Sequence, residues 1–157
     1  MHGSGRLDPS ADWSSWPAET PGPERPRPSG PRLGSVQVVV EVGSWQHACC
    51  GPAYERGAVV EVTCLAVPGP GADGRAPRHV ETHHDDPTTR HPRVRLRGRV
   101  ADVAIRHPDG VVEPILRLPG GRALRGFDDA DDGHLEQPWT GLPVAADSEL
   151  FLLTLDT

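Results

Sequence analysis

The stretch Arg93-Val-Arg-Leu-Arg-Gly-Arg-Val100 places an arginine at every second position, with a small or apolar residue between. Only an extended strand turns alternate side chains to opposite faces, so the octet predicts a strand with one wet face and one core face. Val94, Leu96, Gly98 and Val100 make the core face. After Ala101 and Asp102 the apolar phase slips to Val103 and Ile105. A one-residue slip moves every side chain to the other face, which predicts a β-bulge or a sharp bend at that point.

Other segments supply partners for this strand. Val36-Gln-Val-Val-Val-Glu-Val42 is a β-branched run of strand length, ended by Gly43 and Ser44. Trp45 to Arg56 reads as a loop. In the strand Ala58 to Val67, Val60, Val62 and Cys64 alternate with Glu61 and Thr63, which points Cys64 inward as a small hydrophobe. Pro68 to Pro92 reads as a long flexible loop. Pro108-Asp-Gly110 is a turn, and Val111 to Leu118 is the returning strand, with Pro114 marking an edge or bulge. Pro119-Gly-Gly121 turns into a short piece near Ala123 to Phe127, and a loop from Asp128 to Asp147 comes next. The last strand, Glu149 to Leu155, is apolar on both faces and so central. With no helical period anywhere, the class is mainly β: a small barrel or strongly bent antiparallel sheet, SH3-like or OB-like.

This single domain spans 35–157. Half of residues 1–34 are Pro, Gly or Ser, and Trp13 and Trp16 are the only aromatic side chains of that stretch. Such a segment cannot bury enough surface to offset its chain entropy, so a disordered arm is expected there. The arm is charge-balanced, which puts the formal net charge of -6 on the domain. That sign speaks against nucleic acid and anionic membranes as partners. Arg93, Arg95, Arg97 and Arg99 form the one basic stripe, but without interleaved aromatics it reads as a wet face pairing with surplus acids. Three cysteines without framework spacing, and no signal-like or membrane-length apolar run, suggest a cytoplasmic protein.

Chemistry-bearing residues gather in Trp45-Gln-His-Ala-Cys-Cys-Gly51, continued by Tyr54 and Gly57-Ala-Val-Val60, and in His83-His84. Together with Gly98-Arg-Val100, this order of motifs resembles an actinobacterial family of domains of unknown function. The resemblance covers roughly residues 36–155. It implies those domain limits and brings no activity, cofactor or partner with it.

Read from the residues themselves, the Cys-Cys-Gly loop carries three alternatives. The first is packing: Cys49 or Cys50 as a small core residue near Trp45, with Gly51 permitting a tight turn. The second is a zinc site of Cys49, Cys50, His83 and His84, with His47 a further candidate, since mixed thiolate and imidazole sets suit Zn²⁺. Adjacent side chains diverge in an extended segment, so this reading needs one residue of each pair to converge. The third is a strained, redox-active bond between Cys49 and Cys50. His83-His84-Asp85-Asp86 beside Pro87 reads as a solvated loop. Asp128 to Gly133 fails as a calcium loop, with Ala130 at the third position and Trp139 at the twelfth. No nucleophile elbow or oxyanion loop is present, so enzymatic activity is not expected. The reading adopted is a non-enzymatic binding or interaction module with a protein partner and no required cofactor. The alternative is a zinc or thiol-redox protein centred on Cys-Cys-Gly.

Overall fold

A computed structural model describes residues 35–84, 88–146 and 150–157. The arm expected at 1–34, and the expectations for Asp85, Asp86 and Glu149, lie outside these residues. Eight strands and two short helices are described: β1 (Gln37–Gly43), α1 (Ser44–Cys50), β2 (Tyr54–Glu55), β3 (Val59–Val67), β4 (Arg78–Glu81), β5 (Arg93–Arg106), β6 (Val112–Pro114), β7 (Arg117–Leu118), α2 (Gly121–Leu124) and β8 (Leu150–Asp156).

β5 organises the sheet. Its first half, Arg93 to Arg99, pairs antiparallel with β3, and its second half, Arg99 to Arg106, pairs antiparallel with β8. One strand can serve two partners in this way only if it bends between them. The register shifts between Val100 and Asp102, where the change of apolar phase placed the bulge. Asp102 pins the irregularity: its carboxylate accepts from the Val103 backbone N–H and pairs with the Arg56 guanidinium. Gly98 lies where β5 meets β8, and a Cβ there would stand 2.6 Å from the Asp156 carbonyl oxygen. The backbones of β5 and β8 cross too closely for any side chain at this corner.

From β5 the sheet runs through β8 to β1, from β1 to β4, from β4 to β3, and from β3 back to β5. It is a closed five-stranded β-barrel, with β6 attached along β5. Closure leaves no open edge in the ring and seals the core between the inward faces. Val40, Val42, Val62, Cys64, Val100, Val103, Ile105, Phe151, Leu153 and Leu155 fill it. Cys64 points inward as expected, and β8 is central, hydrogen-bonded on both sides. The arginines of β5 face solvent, and Arg95 lies 3.6 Å from Glu61 across the strand pair. The 108–110 turn closes as expected, with His107 N–H donating to Val111 O.

Three expectations are corrected. The long loop at 68–92 contains β4, a full stave of the barrel. Its four residues, Arg-His-Val-Glu, hold one apolar side chain, so ladder hydrogen bonds to β3 and β1 place it rather than hydrophobic pattern. The stretch 45–56 is not a loop throughout, since α1 occupies its first half. A seven-residue helix is too short to show a period and owes its stability to packing. The segment 111–118 is two strands, because the chain turns Ile115 into the core between β6 and β7. The short piece after Gly121 is α2, ended by Gly126 with φ +70°. β4 runs parallel to β1, the one parallel pairing among the described strands.

Gly98→Ala forces the β5–β8 crossing apart and should cost about 1–3 kcal/mol by the ordinary cost of overpacking. Gly43→Ala, whose added methyl meets nothing within 4 Å, should stay within about 0.5 kcal/mol. Urea denaturation of both variants checks the contrast.

Candidate metal centre

Parallel pairing directs the C-terminal ends of β1 and β4 to the same rim of the barrel, with Val40 opposite His79 and Glu41 opposite Val80. The segments that leave these two strands therefore meet there. β1 runs directly into α1, which carries His47, Cys49 and Cys50. β4 ends on Glu81 and leads on to His83 and His84.

His47 is fully buried, its ring centroid 5.9 Å from those of Tyr54 and Phe151. Its Nε2 lies 2.8 Å from the carbonyl oxygen of Pro119. A carbonyl only accepts, so Nε2 carries the proton and Nδ1 presents a lone pair. Burial lowers the pKa of this imidazole, outweighing the opposing pull of the Pro119 carbonyl and the Glu81 charge, so the ring stays neutral. Nδ1 is buried and has no hydrogen-bond partner among the described residues. The ring is seated on Gly51, where a Cβ would fall 2.1 Å from Nδ1. Gly51 has extended backbone, φ −66° and ψ 139°, so close approach of the imidazole and not a tight turn demands glycine here. Gly121 plays the matching part on α2: its N–H donates to Gly51 O, and a Cβ would stand 2.0 Å from His47 O.

Glu81 is 2% exposed. The Tyr54 hydroxyl donates to Oε1 in a short hydrogen bond. Burial, and then the Glu81 charge, push the Tyr54 phenol pKa up, which keeps it protonated as donor. The other oxygen, Oε2, is buried and accepts no hydrogen bond, although His83 Nε2 lies 3.2 Å away. One ligand atom each from His47, Glu81 and His83 therefore lies within 4.8 Å of the other two. Two metal–ligand bonds of about 2.0–2.1 Å at a tetrahedral angle hold their donor atoms about 3.3 Å apart, and the Glu81–His83 separation matches. A cleft of about 330 Å³, lined in part by Tyr54, Glu81, His83 and Arg93, opens beside the cluster.

Cys49, Cys50 and His84 form a second group, exposed to solvent, whose ligand atoms also lie within 4.8 Å of one another. Cys50 Sγ is 3.7 Å from His84 Nε2 and 3.9 Å from Gln46 O. Local desolvation, and then the hydrogen bond shared with Cys49, push the Cys50 thiol pKa up. Cys64, opposite Glu81 in the β3–β4 ladder, is buried, and burial pushes its thiol up to about 12.

The four residues expected as one zinc set thus divide. His83 turns inward to Glu81 and His47, while His84 turns outward to both cysteines. The packing alternative is corrected: Cys49 and Cys50 are exposed, and Trp45 is 76% exposed. Both cysteines reach one histidine because they sit on a helix and not in an extended segment. Glu81 and Tyr54 were missed as site residues. The burial of a carboxylate inside an apparent loop leaves no trace in sequence pattern.

The acidic loop 128–133 turns its carboxylates on itself. Asp128 accepts from Ala130 N–H, Asp132 from His134 N–H, and Asp131 from Gly133 N–H and, with both oxygens, from Arg117.

Fold and site together define a closed five-stranded β-barrel with a cluster of a buried histidine, a buried carboxylate and a partly exposed histidine at its rim. Comparison with protein-family models, curated proteins and solved structures finds no match to this chain.

Gly51→Ala should displace His47 and destabilise the fold by about 2–3 kcal/mol, the upper part of the overpacking range, measured by denaturation. The Arg117 pair holds the Asp131 carboxyl well below the usual carboxylate range. Its stabilisation is therefore present above about pH 4, the unfolded value, and is lost as pH falls below it. Asp131→Asn should cost about 1 kcal/mol at pH 7, and its difference from the parent should shrink steadily as pH falls below about 4, tracked as denaturation midpoints across pH.

Proposed function

We propose that this chain is a non-enzymatic binding module built around a divalent transition-metal centre, with zinc as the ion and His47, Glu81 and His83 as its ligands. The observation that carries the reading is a pair of buried acceptors that accept no hydrogen bond among the described residues, His47 Nδ1 and Glu81 Oε2, the latter 3.2 Å from His83 Nε2. Each unsatisfied buried polar atom costs about 1–3 kcal/mol. A cation satisfies both at once. The surroundings are those of a ligand set: Pro119 O fixes the His47 tautomer, and the Tyr54 hydroxyl orients Glu81. Two imidazoles and one carboxylate are donors zinc accepts, and the adjoining cleft leaves a fourth position for water or a partner's side chain.

A protein is the partner we favour. Trp45 projects from the helix that carries His47, and buried aromatic anchors supply much of the energy at protein interfaces. The redox alternative is weakened by the adjacency of the two cysteines. Neighbouring Cα atoms lie about 3.8 Å apart, closer than disulfides ordinarily accept. Membership of the actinobacterial family of domains of unknown function is part of the same proposal. Cys49, Cys50, Gly51, Tyr54, His83 and His84, which carry that resemblance, gather at this rim.

Protein purified without an affinity tag should contain at least one equivalent of zinc per chain and melt at lower temperature after chelation. At a hundredfold excess over Kd the ion adds about 2.7 kcal/mol. His83→Ala, at a partly exposed position, should fold and lose one equivalent. Zinc below half an equivalent, with a melting temperature indifferent to chelator and to added zinc, overturns the reading.

A further inference from the structure

We infer that Cys49, Cys50 and His84 form a second metal site on the same rim, one that takes a thiophilic ion such as zinc, cadmium or copper(I) at the surface. It shares no ligand atom with the buried cluster and differs from it in chemistry. The buried set offers two nitrogens and an oxygen, whereas this one offers two sulfurs and a nitrogen, the softer combination.

Three observations support it. First, α1 brings the adjacent cysteines together. Successive residues on a helix are turned by about 100°, so two neighbouring side chains at its last turn can reach a common point beyond the helix end. Both sulfurs lie within 4.8 Å of one nitrogen of His84. Second, the spacing is that of ligands. Bonds of about 2.3 Å to sulfur and 2.0–2.1 Å to nitrogen, at a tetrahedral angle, separate the two donors by about 3.6 Å. Cys50 Sγ and His84 Nε2 are 3.7 Å apart. Third, His84 is held in place by its own main chain. The Thr82 hydroxyl and an Arg93 guanidinium nitrogen both donate to its carbonyl oxygen, at 3.1 and 2.8 Å.

The neighbouring site explains why two histidines stand side by side. After β4 ends, the two neighbouring side chains part, His83 to the buried centre and His84 to the thiols. Binding here displaces the thiol protons to solvent and leaves two thiolates on the ion. With three protein ligands and full exposure, the fourth position stays accessible to a water or to a thiol from outside. That is the arrangement of a site that acquires and releases its ion readily.

The test uses the full chain freed of metal and titrated with Cd²⁺ under reducing conditions. Thiolate-to-cadmium charge-transfer absorption in the ultraviolet should grow with one equivalent, within a total of two bound. Cys49→Ser with Cys50→Ser should abolish that absorption and one equivalent while leaving the other. His84→Ala should weaken the thiolate-linked equivalent at least tenfold, and His83→Ala should leave the absorption unchanged. All these positions are exposed or partly so, and circular dichroism confirms that each variant folds. Absence of thiolate absorption on saturation overturns the second site, and so does an unchanged stoichiometry in the double serine variant. A single equivalent lost both by His83→Ala and by the double serine variant also overturns it, since one mixed site would then join the two groups. Failure of the buried centre reads differently: thiolate absorption persists at one equivalent, and His83→Ala changes nothing.

Discussion

The parallel pairing of β1 with β4 is the constraint on which both the barrel and its chemistry depend. Without β4 the sheet would end at β1 on one side and β3 on the other, two open edges with unpaired backbone groups. β4 pairs with both and completes the ring. Because it runs parallel to β1, the two strands also deliver the segments after them to the same rim. An antiparallel β4 would have sent Glu81, His83 and His84 to the opposite end from His47 and the two cysteines. Closure and the assembly of the site are therefore one event in this fold.

Glycine makes the close approaches around that event. At Gly98 the β5 and β8 backbones cross; at Gly51 an imidazole lies flat on the chain; at Gly121 the two short helices touch backbone to backbone. None of the three has a positive φ, so the requirement is for space and not for backbone freedom. The last two lock His47 between α1, α2 and the Pro119 carbonyl. Among the described residues its buried Nδ1 has no hydrogen-bond partner, and a ligand atom of the ring lies within 4.8 Å of one from Glu81. Buried acceptors without donors cost stability unless a cation joins them, and this is the physical core of the metal reading.

Much of the fold was legible. The arginine alternation of β5, the slip of phase at Asp102, the inward Cys64 and the central last strand all follow from period-two burial, a local property that survives folding. β4 was not legible, because Arg78-His-Val-Glu81 has too little apolar content to show which face is buried. α1 was hidden by its brevity, and with it the convergence of Cys49 and Cys50. Of the site, the cysteines and histidines stood out by residue type. Their division into two groups did not, since it turns on which way each neighbour faces after a strand whose existence the pattern conceals.

By itself the sequence determined the class of the fold, its inward faces, its bulge and the motifs that hold chemistry. These depend on which residues lie two or a few positions apart. Tertiary structure alone decided that the ring closes through β4 and that His47 meets a glutamate from 34 positions away. It also decided that Gly51 serves an imidazole and not a turn. Such facts depend on strand order and direction, which side-chain periodicity does not encode.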